Sequence, residues 1–99
     1  MNVLELAVYR LHERNKITRE EAMVLSSLLE NGKMNLLELS LERGLELHEL
    51  KDAINFLLGK NAIQFSNGNY YIADALEALN RLIGEDNEMK VFVQLMEEA

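Results

Sequence analysis

The chain reads as a mainly α-helical domain with a small β wing, in the order α-α-β-α-α-β-β-α-α. Three observations carry this reading. Apolar residues recur at helical spacing from Leu36 to Leu58, with a break at Gly44. From Ala62 the pattern changes to alternation, and Asn67-Gly68 separates Ala62–Ser66 from Asn69–Ala73, the signal of a tight antiparallel hairpin. Finally, Thr18, Asn35 and Asp74 each stand three residues before a glutamate (Glu21, Glu38, Glu77) and open an apolar periodic run. In that arrangement each side chain caps an exposed N–H of the other's backbone.

Taken in order, the first helix should run from about Asn2 to Arg14. Val3, Leu4, Ala7, Val8 and Leu11 form its apolar stripe and Leu6 widens it. Thr18-Arg19-Glu20-Glu21 opens the second helix, which turns Ala22, Leu25, Leu28 and Leu29 inward and stops at Asn31-Gly32. Lys33-Met34 is then a short strand pairing with the wing. The third helix starts after Asn35, places Leu36, Leu39 and Ser40 on one face, and ends at Gly44. The fourth, 47–60, carries Leu47, Leu50, Ile54, Leu57 and Leu58 and ends near Asn61. In the returning strand Tyr70 and Tyr71 point to opposite faces, so only one should join the core. Asp74 opens a fifth helix through Leu79, Leu82 and Ile83. Gly84-Glu85-Asp86-Asn87 is a turn, and a last helix from Asn87 to Glu98 has Met89, Phe92, Val93 and Met96 on one side, with Val91 and Leu95 nearby.

Ninety-nine residues predict one domain, divisible into an N-terminal helix and linker (1–17), a central unit (18–73) and C-terminal helices (74–99). A hydrophobic share of 48% supplies a core, which must be aliphatic because Trp is absent and aromatics are few. No cysteine means no disulfide and no thiolate metal site. No apolar run approaches the roughly 18 residues of a membrane span. The first residues lack a basic patch followed by an apolar stretch. The expected location is therefore the cytoplasm, with no membrane partner. Net charge is −7 but uneven: residues 1–19 carry four basic residues against two acidic, the remainder six against fifteen. Such asymmetry permits a basic patch on an acidic protein.

Helix, turn, helix and wing is the layout of a winged helix-turn-helix. Gly44 is followed by Leu50, Ile54 and Leu57 at offsets of six, ten and thirteen, by Asn61 at seventeen and Ile63 at nineteen. In this spacing residues 18–73 resemble the winged helix-turn-helix superfamily of prokaryotic DNA-binding proteins. The added terminal helices are similar in architecture to those of MarR-like regulators, where they build a dimer. The resemblance implies a homodimeric transcriptional regulator whose fourth helix reads the major groove of double-stranded DNA. Two positions depart from the superfamily pattern. Glu46 stands where Ser or Thr often caps the recognition helix, and the wing tip Ser66-Asn67-Gly68-Asn69 lacks the usual Arg or Lys.

With Leu50, Ile54, Leu57 and Leu58 inward, His48, Glu49, Lys51, Asp52 and Asn55 should face out. On DNA, Asn55 suits adenine, Lys51 guanine, and Glu49 or Asp52 a cytosine amino group. Expected phosphate contacts are Arg14, Lys16, Arg19, Lys33, Arg43 and Lys60, with Asn67, Gly68 and Asn69 as the wing. Lys60 and Arg43 are equally what a helix C-terminus prefers for its dipole. The apolar stripes of the end helices predict homodimerisation through Leu4, Val8, Leu11, Phe92, Val93 and Met96. Against the DNA reading, residues 46–60 hold three acids and two lysines. Duplex DNA presents about one negative charge per 1.7 Å of axis, so a bare acidic helix is repelled. The alternative expectation is therefore a protein–protein interaction module on the same scaffold, with Glu46, Glu49 and Asp52 facing a basic partner. His12 and His48 are the only histidines, and His48 with Asp52 four residues on falls short of a metal site. No phosphate loop or nucleophile motif occurs, so neither an enzyme nor a cofactor is expected.

Overall fold

The computed structural model describes residues 2–98. Among these, six helices and a two-stranded antiparallel sheet follow one another as α1 (Val3–Glu13), α2 (Arg19–Asn31), α3 (Leu36–Arg43), α4 (Leu47–Gly59), β1 (Gln64–Ser66), β2 (Asn69–Tyr71), α5 (Ala75–Ile83) and α6 (Asn87–Glu98). The protein is thus mainly helical with one small hairpin. Among the described residues no helix is long and apolar enough to cross a membrane.

Local chemistry sets most of these boundaries. Asn2 caps α1 by accepting the Glu5 N–H at 2.9 Å. Thr18 Oγ1 accepts the Glu21 N–H at 3.2 Å while Glu21 Oε1 accepts the Thr18 N–H at 2.9 Å. The same reciprocal pair joins Asn35 and Glu38 at the head of α3. At α5 only half of it forms, with Asp74 accepting the Glu77 N–H. Each satisfied N–H is one that a helix start would otherwise leave to solvent. The C-terminus of α3 ends in the left-handed conformation at Gly44, φ 64° and ψ 27°, where a side chain is strained and glycine is not. Gly44 redirects the chain through Leu45 and Glu46 into α4, and Ser40 Oγ donates to the Leu45 carbonyl at 3.1 Å to brace the turn.

The hairpin pairs Gln64 with Tyr71, Phe65 with Tyr70 and Ser66 with Asn69. Asn67 and Gly68 both take positive φ (53° and 81°), as a two-residue turn with both central residues left-handed requires. The short strand expected at Lys33-Met34 is reduced to one bridge. Met34 and Tyr70 exchange both backbone hydrogen bonds (3.1 and 2.8 Å), and Asn35 then turns the chain into α3. Tyr70 and Tyr71 are both half-buried rather than divided between core and solvent. In so narrow a sheet each ring covers a neighbour: Tyr70 meets Phe65 at 4.7 Å and Tyr71 lies under the Lys33 ammonium at 5.4 Å.

One core joins all the helices. Ala7, Val8 and Leu11 of α1, Val24, Leu25 and Leu28 of α2, Leu39 of α3 and Leu50, Ile54 and Leu57 of α4 are buried together. Leu79, Leu82 and Ile83 of α5 and Met89 and Val93 of α6 complete it. The end helices are therefore fastened to the central unit. Arg81 ties α5 to the base of the hairpin, donating to the Asn61 carbonyl at 2.8 Å and to Glu77 one turn earlier in α5.

Candidate interaction surface on helices α3 and α4

Helix α4 is mounted by its buried side. Leu50, Ala53, Ile54 and Leu57 enter the core, and Glu49 Oε1 accepts the Glu46 N–H at 3.2 Å to close the first turn. His48, Lys51, Asp52 and Asn55 are consequently exposed on the opposite side, as the spacing requires, and Glu49 is half-buried. Glu49, Asp52 and His48 line an open groove with Thr18, Glu20 and Glu21 from the start of α2. The His48 ring sits 3.4 Å from Glu46 Oε2. The edge of α4 facing α2 is thus acidic, and Lys51 is the one cation on its outer face.

The six cations expected to hold phosphates divide between those held by contacts within the fold and those left open. Arg14, at the end of α1, makes a forked contact with Asp86 (Nη2 to Oδ1 at 3.0 Å, with Nε on Oδ2) and reaches Glu88 at 3.1 Å. Its hydrogen bonds hold the Asp86 carboxyl below the ordinary value of 3.8 against the cost of desolvation, helped by the Met89 N–H and the charges of Arg14 and Lys16. The same bond raises Arg14. Arg14 therefore serves the α5–α6 turn. Arg43 turns inward, its Nε donating to the fully buried Ser27 Oγ at 2.6 Å, with Glu42 at 3.8 Å. Its role is to fasten α3 to α2, reinforced by Asn31, whose amide donates to Glu42 and to the Ser27 carbonyl. Arg19 lies 4.0 Å from Glu20. Lys33 stands over Tyr71, and Lys60 over Phe56 at 5.8 Å, both still exposed. Three of the six, Lys16, Lys33 beside the hairpin and Lys60 at the end of α4, thus have no carboxylate ion-pair partner among the described residues.

Half of the expected dimerisation set is closed to a partner, and the other half is partly open. Val8, Leu11 and Val93 are buried in the chain's own core, and Leu4, Phe92 and Met96 pack against it. The Arg10 guanidinium further covers Phe92 at 5.5 Å. A periodic apolar stripe states that a face is covered, and Val8, Leu11 and Val93 are covered from within. The large apolar side chains left open are Val3 and Tyr9 on α1 and Val91 and Leu95 on α6, on the same end helices, together with Phe65 on the hairpin and Leu37, Leu41 and Leu47 around the α3–α4 turn. Leu37 and Leu41 are the most exposed, at 66% and 74%. Both follow from the pattern. Leu39 marks the buried side of α3, and a residue two positions away lies roughly 200° around the helix.

His12 Nδ1 lies 3.3 Å from the Ile17 carbonyl, which occupies the ring with the α1–α2 link. Among the described residues no three His, Asp or Glu side chains come together as a metal site. No buried side-chain polar atom there lacks a hydrogen-bond partner. No protein-family model, curated protein or solved structure matches the chain.

Proposed function

We propose that this chain is a winged helix-turn-helix domain that binds a protein rather than DNA, presenting the outer surfaces of α3 and α4 to a basic partner. The winged reading is supported by α2, α3 and α4 followed by an Asn-Gly hairpin whose return strand bridges Met34. The observation that carries the choice of partner is the fate of the cations. Arg14 and Arg43 are held by contacts within the fold, while Glu46 and Asp52 stay exposed on the α4 surface with Glu49 half-buried beside them. A helix entering the major groove comes within reach of two phosphate backbones, and most non-specific affinity is phosphate neutralisation. Here the approaching surface repels. A cationic protein segment finds the same surface attractive, and complementary charge speeds its encounter.

A second reading is favoured by one observation: His48, Lys51 and Asn55 do share an exposed face, with Lys33 and Lys60 accessible beyond it. That set suits a homodimeric transcriptional regulator in which Lys51 and Asn55 read bases and Lys33 and Lys60 hold phosphates.

Charge reversal separates the two. Glu49→Lys with Asp52→Lys changes the α4 face by four charges and keeps the buried side of α4, at the cost of the Glu49 cap on the Glu46 N–H. The protein-binding reading expects no duplex binding by the wild type at low salt, and salt-sensitive duplex binding by the double variant, because charge alone bars the scaffold. Salt-sensitive binding by both proteins supports the DNA reading. Binding by neither overturns the winged geometry as the basis of the proposal.

A further inference from the structure

Resting on the protein-binding reading, we infer that α3 is where the partner docks, and that the partner presents a cationic amphipathic helix. Its apolar stripe would cover Leu37 and Leu41, and its lysines or arginines would reach the acids beside them.

The placement is unusual for two leucines. They stand four residues apart on α3, one turn above the other, so they make a continuous apolar ridge rather than scattered surface residues. They are the two most exposed large apolar side chains of the described residues, and Leu47, half-exposed, opens α4 just past the Gly44 turn. Folding gains nothing from this ridge, because Leu39 on the opposite side already anchors α3. A helix of eight residues with leucines on both sides is suited to packing against two things at once. The core is one of them.

Charge chooses the other. Along 36–52 the acids are Glu38, Glu42, Glu46, Glu49 and Asp52, and the only cations are Arg43 and Lys51. Arg43 is half-buried, with its guanidinium bonded to Ser27 and beside Glu42. Glu38 and Glu42 flank the ridge on α3 and Glu46 follows Gly44. An apolar ridge bordered by carboxylates matches the apolar stripe of a helix bordered by ammonium or guanidinium groups, as two helices pair along an apolar seam with opposite charges on its flanks. A second copy meets the ridge with the same acids and a net charge of −7. An anionic membrane surface is repelled likewise. Duplex DNA offers leucine nothing to contact and repels the glutamates.

The test uses the whole chain and a labelled synthetic peptide with leucines spaced three and four apart and lysines on both flanks. The same peptide with glutamate for every lysine is the control. Anisotropy titrations at low and high salt read affinity, and sedimentation reads oligomeric state. The expected result is salt-sensitive binding of the lysine peptide only. Leu37→Ser with Leu41→Ser should weaken it by about tenfold or more, the change that 1.4 kcal/mol makes. The thermal midpoint should be unaltered, because both side chains are exposed. Glu46→Gln should weaken binding and flatten its salt dependence, while Glu42 stays in place to hold Asn31.

The inference is overturned if the lysine peptide does not bind, if the serine variants bind it as tightly as wild type, or if the glutamate peptide binds equally. A wild-type dimer that the serine variants dissociate also overturns it, since a second copy then covers the ridge. Failure of the underlying reading shows separately, as salt-sensitive binding of random-sequence duplex DNA by wild type and serine variants alike.

Discussion

Replacing Gly44 by alanine should destabilise the protein, and replacing Gly59 by alanine should do the opposite. Gly44 holds the left-handed conformation that joins α3 to α4 (φ 64°, ψ 27°). A side chain in that region costs about 1–2 kcal/mol, because Cβ crowds the next carbonyl. Nothing else adds to the cost, since a Cβ built there meets no other heavy atom within 4 Å. Alanine also narrows the unfolded ensemble, which returns about 0.4–1 kcal/mol. The net loss is about 1 kcal/mol. For a chain of 99 residues that lowers the melting midpoint by about 4–8 °C. Gly59 is the last residue of α4, also with open space around a built Cβ, and its φ is not positive. Alanine there should gain about 0.5 kcal/mol, the low end of the helical Gly-to-Ala difference because the final turn frays. Urea unfolding of both variants and wild type, analysed with a shared slope, reads the two signs directly. A neutral or stabilising Gly44→Ala would refute the left-handed turn that sets α4 in place. Gly44→Asn should lie between, as asparagine already holds positive φ at positions 15, 61 and 67.

Leu39→Ala, at a fully buried site, should cost about 2–5 kcal/mol in urea unfolding, whereas Leu41→Ala should stay within about 0.5 kcal/mol. Equal losses would mean that α3 does not bury the side described. Thr18→Ala should cost about 1 kcal/mol by removing the acceptor for the Glu21 N–H, and Thr18→Ser should restore most of it. A serine variant no better than alanine would locate the loss outside the cap. Asp86 sits below its ordinary value in the folded chain, so its contribution to stability is complete above 3.8 and disappears as pH falls through the depressed value. Melting midpoints measured from neutral pH down through that range should therefore fall less in Asp86→Asn than in wild type. Identical acid slopes would remove the Arg14–Asp86 pair from the account.

The parts legible in the sequence were those governed by a few consecutive residues. Thr18 with Glu21, Asn35 with Glu38, Gly44 and Asn67-Gly68 each act within one turn of chain, and the helices and hairpin begin and end beside them. The Lys33-Met34 strand was only partly legible, because its length depends on how soon Asn35 starts α3. The surface was harder to read for a physical reason. Arg14 meets Asp86 across 72 positions, and Arg43 meets Ser27 across 16, and neither pairing leaves a local pattern. Cations therefore looked free that the fold employs. The stripes of α1 and α6 likewise announced burial without saying against what. Leu37 and Leu41 were within reach of the same spacing argument, once Leu39 is taken as the centre of the buried side.

The most direct test of the protein-binding account is an amide chemical-shift titration of isotope-labelled protein with random-sequence duplex DNA at low salt. The account predicts that Lys51, Asn55 and Asn67–Asn69 keep their positions as duplex is added. Shifts concentrated at those residues and abolished by salt would contradict it, and would place DNA against α4 and the hairpin.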